Sequence, residues 1–129
     1  MTTKTILLIH HEANVREVVQ VCLSHFGGWR VLSISSPTEG LQCAAQIQPD
    51  AIVLDLAASE VDDFMFLKKL RTQSVTQLTP VVLLANRTNW LNSKALQQLQ
   101  VAGVVNYFTD PTSLAKEIAR LLNWSEMPA

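Results

Sequence analysis

The sequence predicts an α/β fold: one doubly wound domain in which a five-stranded parallel sheet carries helices on both faces. Three observations lead there. Short, continuously apolar runs occur at Ile6–Ile9, Ala51–Leu54, Val81–Ala85 and Gly103–Val105. Each is too short for a helix and rich in branched residues, as strands buried on both faces are. Helical patterns with start and stop signals lie between them. The resulting strand-then-helix alternation, repeated along the chain, builds a parallel sheet, and right-handed crossovers leave few topologies for it. The 129 residues suit a single domain over 1–129. Its core is expected over about residues 4–122, because the periodic patterns stop there.

Element by element, Ile6–Ile9 is the first strand. Asn14 followed by Glu17 has capping-box spacing, and Val15, Val18, Val19, Cys22 and Phe26 then form one stripe. Gly27-Gly28 stops that helix. Arg30–Ile34 is mixed in character and suits an edge strand. Ser36, Pro37 and Glu39 supply an N-cap, a proline at the first helical position and the box partner. Leu41, Ala44 and Ala45 turn inward, and Pro49 ends the helix. After the strand at Ala51–Leu54, Asp62 or Asp63 can cap a helix bearing Phe64, Leu67 and Leu70. A further helix is expected from Trp90 to Leu99, between the last two strands. Asp110-Pro111 opens the final one, with Leu114, Ile118 and Leu121 inside.

Composition removes several functional classes. With 48% apolar and 16% charged residues the chain is not disordered. Ten basic against eleven acidic side chains leave −1, a balance that argues against nucleic acid as a partner, since that affinity rests on neutralising phosphates. No apolar run approaches the ~20 residues of a membrane helix. The opening Met-Thr-Thr-Lys-Thr runs straight into a strand without a signal-peptide layout, so the expected location is cytoplasmic. Cys22 and Cys43 lack metal-type spacing and are expected to be free thiols. No Gly-rich phosphate cradle is present, which disfavours a dinucleotide or flavin reading.

In an open parallel sheet, ligands sit beyond the carboxyl ends of the strands. The residues there are His10, His11 and Glu12 after the first strand and Asp55 after the third. Ala85-Asn86-Arg87 ends the fourth, and Asn106-Tyr107-Phe108 the fifth. Ile6-Leu7-Leu8-Ile9-His10-His11-Glu12, Pro49 through Leu56 around Asp55, and Pro80 through Leu84 together resemble the receiver domain of two-component response regulators. The resemblance covers nearly the whole chain. It implies the flavodoxin-like, CheY-like three-layer sandwich with strand order 2-1-3-4-5.

What the resemblance implies for chemistry is less regular. Asp55 matches the phosphoacceptor. The acidic pair that holds magnesium is matched by His10 and His11, the phosphoryl-binding threonine or serine by Ala85, and the lysine by Tyr107 followed by Phe108. The loop after the phosphoacceptor is matched by Ala58-Ser59, and the glycine beyond it by Asp63. Aspartyl phosphorylation brings a dianion toward a carboxylate, and magnesium and the lysine offset the repulsion. Magnesium wants oxygen ligands, so weak or absent magnesium binding and no other cofactor are expected. Each lost donor to developing charge commonly costs about 10²–10³ in rate.

For His10 and His11 the plain reading is two half-exposed polar residues on a loop. A sharper one is a pocket cationic at mildly acidic pH, in which a histidine beside Asp55 supplies the charge magnesium normally supplies. A transition-metal site is the third. It is disfavoured because adjacent side chains on a strand diverge, so no metal ligand is assigned. Asp55 itself can equally be a leftover carboxylate at a strand end.

Trp90, Tyr107 and Phe108 mark a partner face, since receivers commonly dimerise and signal through that half of the fold and aromatics are favoured interface anchors. Trp124 is expected to cover a helix end. The function expected is therefore a two-component phosphorelay receiver module with a degenerate pocket. It would be a stand-alone, non-enzymatic pseudo-receiver acting through contacts with a histidine kinase, phosphotransfer or output protein, or a second copy. The alternative is a His/Asp metal-binding or small hydrolytic protein on the same fold, which lacks an evident nucleophile and oxyanion hole.

Overall fold

The computed structural model describes residues 3–55, 60–85, 97, 99–106 and 111–124. Five strands are present: β1 (Thr5–Ile9), β2 (Arg30–Ile34), β3 (Ala51–Asp55), β4 (Val81–Ala85) and β5 (Gly103–Asn106). The described helices are α1 (Ala13–Gly27), α2 (Pro37–Ile47), α3 (Glu60–Thr72) and α4 (Pro111–Leu121). All strand pairs are parallel and the order is β2-β1-β3-β4-β5. The expected helix from Trp90 to Leu99 lies outside the described residues, as do Ala58-Ser59, Tyr107, Phe108 and Asp110.

Strand alternation splits the sheet's side chains into two cores. One joins Ile6, Leu8, Val53, Val82 and Leu84 to Val19, Cys22 and Leu23 of α1 and to Leu114, Ala115 and Ile118 of α4. The other joins Leu7, Ile9, Ile52, Leu54 and Leu83 to Ala44 of α2 and to Phe66, Leu67 and Leu70 of α3. Both faces of β3 and β4 are therefore dry, which is why those strands read as unbroken apolar runs. Leu121 is only half-buried but packs against the first of these cores.

Three local expectations are corrected. The N-cap of α1 is Glu12 and not Asn14. Its carboxylate accepts from the backbone N–H groups of Asn14 (3.2 Å) and Val15 (2.8 Å), so Asn14 already lies inside the helix. The inner face of α1 is Val19, Cys22, Leu23 and Gly27, while Val15, Val18 and Phe26 are exposed. Leu23 is fully buried, and turning it inward swings the valines out. Helix α3 starts at Glu60, so Asp62 and Asp63 lie within the helix and do not precede it as caps.

Other signals read as expected. The Ser36 hydroxyl accepts from Glu39 N–H with Pro37 opening α2, and Pro49 follows the helix end. Gly28 ends α1 at φ 69°, a left-handed conformation that favours glycine. Gly40 lets α2 approach β1, because a methyl group there would overlap Ile9. Both cysteines are free thiols, and no described helix is long and apolar enough to cross a membrane.

Two side-chain arrangements tie remote segments together. Arg71, at the end of α3, donates to the carbonyls of Leu99 (2.9 Å), Thr76 (3.3 Å), Gln77 (3.3 Å), Thr79 (2.7 Å) and Gln100 (3.2 Å). Trp29, just before β2, meets Trp124 edge to face at 5.1 Å, with the Lys4 ammonium 5.3 Å from the Trp124 ring.

Candidate functional site

The carboxyl ends of β1 and β3 lie side by side at the point where strand order reverses, between β1 and β3. The chain stays in register one residue past β1, because His10 N–H donates to the Ile34 carbonyl of β2 at 3.0 Å. It then turns into α1. Arg16, in the first turns of α1, holds the turn by donating to the His10 carbonyl at 2.8 Å. Asp55 closes β3 with 3% of its surface exposed.

This geometry brings His10, His11 and Asp55 together. His11 Nδ1 lies 2.9 Å from Asp55 Oδ2, and His10 Nδ1 lies 3.6 Å from the same oxygen. The two imidazoles stack with centroids 5.4 Å apart and planes 13° from parallel. The expectation that adjacent histidines diverge is therefore corrected. Alternation ends with the strand, and the turn into α1 swings His11 back over the strand end.

The two histidines also differ in environment. His10 is buried, where two half-exposed residues were expected, whereas His11 keeps 46% of its side chain in water. Glu12 N–H donates to His10 Nδ1 at 3.1 Å, which makes that nitrogen an acceptor and places the ring proton on Nε2. Burial pushes the His10 imidazole below its ordinary value. Asp55 pulls it the other way but does not prevail, and His11 adds to the lowering. A cationic pocket thus draws no charge from His10 near neutral pH. The capping N–H groups of Val15 and Asn14 hold the half-buried Glu12 carboxyl below its usual range.

Ala85 is buried at the end of β4, the strand beside β3, and pairs in register with Asn106 of β5. Tyr107, like Phe108 and Trp90, lies outside the described residues. Reading the sequence alone missed Arg16 and the double role of Glu12. Their one signal was position: both fall in the turn that connects the strand end to the first helix. Among the described residues, the only group of three or more potential metal-ligating side chains is His10, His11 and Asp55.

No family model matches the chain. Comparison with individual proteins does find relatives. The chain is 28% identical over 123 residues to the probable C4-dicarboxylate response regulator DctR of Halalkalibacterium halodurans, covering 95% of this chain and 51% of that protein. It is 33% identical over 110 residues to a protein-glutamate methylesterase/protein-glutamine glutaminase of Pseudomonas savastanoi, covering 84% of this chain and 30% of that protein. The chain thus spans about half or less of the curated relatives it matches. Among solved structures, chemotaxis response regulator CheY4 of Vibrio cholerae aligns with a TM-score of 0.82 at 23% identity, covering 93% of this chain and 99% of that one. The receiver domain of sensor histidine kinase PA1611 of Pseudomonas aeruginosa, solved with magnesium coordinated in its active-site cleft, aligns at 0.80 with 17% identity, covering 95% and 99%.

Proposed function

This chain is a response-regulator receiver (CheY-like) domain of two-component signalling, and from that premise we propose that it is a divergent receiver whose pocket no longer runs magnesium-dependent phosphotransfer. The observation that supports this best is the 2.9 Å contact between His11 Nδ1 and Asp55 Oδ2. The carboxylate that would attack a phosphoryl donor already faces an imidazole where receivers are expected to carry acids.

The donor set points the same way. Magnesium demands near-octahedral oxygen coordination, and this cluster offers one carboxylate and two imidazoles. The nearby Glu12 carboxylate is engaged by the helix N-terminus. The residues present therefore do not fit magnesium. Ala85 supplies no hydroxyl for a phosphoryl oxygen, and Tyr107 stands where the cationic lysine is expected. With charge stabilisation removed on every side, an acyl phosphate at Asp55 loses what makes its formation fast.

The module then works by binding rather than by catalysis. Its partner is a histidine kinase, a phosphotransfer or output protein, or a second copy, met through Trp90, Tyr107 and Phe108. The methylesterase activity and the DNA binding named for some relatives belong to proteins of which this chain spans only a part. The test is intact-mass spectrometry after incubation with acetyl phosphate and magnesium. The chain should gain no phosphoryl mass, whereas the restored variant His10→Asp/His11→Asp/Ala85→Thr/Tyr107→Lys should gain it on Asp55. Labelling of the unmodified chain at the restored variant's rate overturns the reading.

A further inference from the structure

We propose that His10, His11 and Asp55 form a binding site for a nitrogen-preferring divalent transition-metal ion, of which zinc is the test case. The inference goes beyond the functional reading above, because it concerns which ion this pocket selects and holds whether or not Asp55 is ever phosphorylated.

Geometry is the first support. A tetrahedral zinc ion with bonds of about 2.0–2.1 Å to nitrogen and oxygen sets its ligand atoms roughly 3.3 Å apart. The two histidine nitrogens stand 2.9 Å and 3.6 Å from Asp55 Oδ2, on either side of that spacing. All three ligand atoms lie within 4.8 Å of one another. Ordinary side-chain adjustment closes the remainder. The two rings lie nearly parallel, and both Nδ1 atoms approach the same Asp55 oxygen.

Ligand state is the second. A metal-bound imidazole must present a lone pair on the ligating nitrogen. The Glu12 N–H already holds His10 with its lone pair on Nδ1, the edge that faces Asp55. Coordination exchanges that 3.1 Å hydrogen bond for a metal bond. His11 needs a change of tautomer, its ring proton moving from Nδ1 to Nε2, and its exposed edge gives water access for that exchange. The Arg16 bond to the His10 carbonyl fixes the backbone behind the ligands, the kind of outer support that sets metal affinity.

Selectivity and access follow from the same residues. Two imidazoles and one carboxylate suit zinc, copper or nickel and not magnesium. His10 and Asp55 form a dry floor, and half-exposed His11 forms the mouth. Three protein ligands leave a tetrahedral ion with one further position, open to water or to a partner's side chain.

The experiment titrates the chelator-treated chain with zinc chloride and, separately, with magnesium chloride. Calorimetry gives stoichiometry and affinity, and nitrogen-detected NMR of the imidazoles identifies the ligands. Zinc should saturate at one ion per chain and move the Nδ1 signals of His10 and His11. The third histidine, His25, is exposed on α1 and should not move. Magnesium at millimolar concentration should move none of them. His11→Ala and Asp55→Asn should each weaken zinc by at least about tenfold, and His25→Ala should leave it unchanged. His11 is half-exposed, so its variant keeps the test valid even if His10→Ala does not fold. The proposal is overturned if zinc does not bind, if it moves His25 or binds with unchanged affinity in His11→Ala/Asp55→Asn, or if His11 shifts without His10. Acetyl-phosphate labelling of Asp55 would instead overturn only the functional reading, since it leaves the zinc titration as it was.

Discussion

His10 places a titratable ring where only 3% of the residue meets water. Its folded-state value is depressed, so as pH falls through about 6.5 the unfolded chain takes up a proton that the folded chain resists. Stability is therefore fully present above that pH and declines below it, levelling off only under the folded value. The charged or titratable neighbours are Asp55, His11, Glu12 and Arg16. Glu12 shifts in the same direction but titrates lower, beneath 4.5. We expect urea unfolding of metal-free protein to show a loss of stability between about pH 7.5 and 5.5 that is shallower in His10→Asn, the lower bound staying above the carboxylate range. Parallel slopes for the two proteins would refute this. The sequence shows two adjacent histidines at a strand end and no more. Which one is buried depends on the hydrogen bond from His10 to Ile34 in β2, twenty-odd residues away and invisible to local pattern.

At the scale of elements, Arg71 joins the end of α3, the turn after it and the segment entering β5 through main-chain carbonyls alone. Burial lowers its guanidinium from the ordinary value, but an arginine stays protonated and offers five fixed donors. Arg71→Met should leave half-buried carbonyls unsatisfied and cost about 2–3 kcal/mol in denaturant melts. Arg71→Lys should recover only part of that, because an ammonium cannot span the fork. Equal stability of all three proteins would show that water replaces the clamp. Nothing in the sequence marks this arginine, whose partners are backbone atoms that every residue has. Helix existence was legible for the opposite reason: Ser36-Pro37 and Gly28 act through local geometry. Helix rotation was less so. Val15, Val18 and Leu23 are all apolar, and only packing against the sheet and α4 decides which faces inward.

The whole molecule follows from alternation. Four apolar runs and one mixed edge strand, separated by helices, left few topologies for a parallel sheet, and the order β2-β1-β3-β4-β5 is the one that the receiver resemblance implied. Long-range signalling through the fold is a different matter. In receivers the fourth-strand hydroxyl and a fifth-strand aromatic move together. Here the matching positions hold Ala85, buried, and Val104, packed against the core on the α2–α3 side. A pocket ligand shifts an equilibrium only through differential affinity for two states, and the Ala85 side chain has no hydroxyl for a pocket ligand to draw inward. Partner affinity should therefore depend on standing aromatics. Trp90→Ala, Tyr107→Ala or Phe108→Ala should cost about 2 kcal/mol or more at a central anchor, measured against the signalling protein that copurifies, and Asp55→Asn should change it little. The reverse ranking would restore control to the pocket.

Trp29 and Trp124 also make the molecule an optical instrument. Two indoles 5.1 Å apart and 80° from parallel are close enough for an excitation to be shared between them. Such sharing is steep in separation and sensitive to angle, so the pair rotates polarised light in a way that neither ring does alone. One ring precedes β2 and the other follows α4, with Lys4 of the segment before β1 beside the second. Their joint signal belongs to no single element. It exists only while the entry to the edge strand and the end of the last helix are docked, and it vanishes the moment they part.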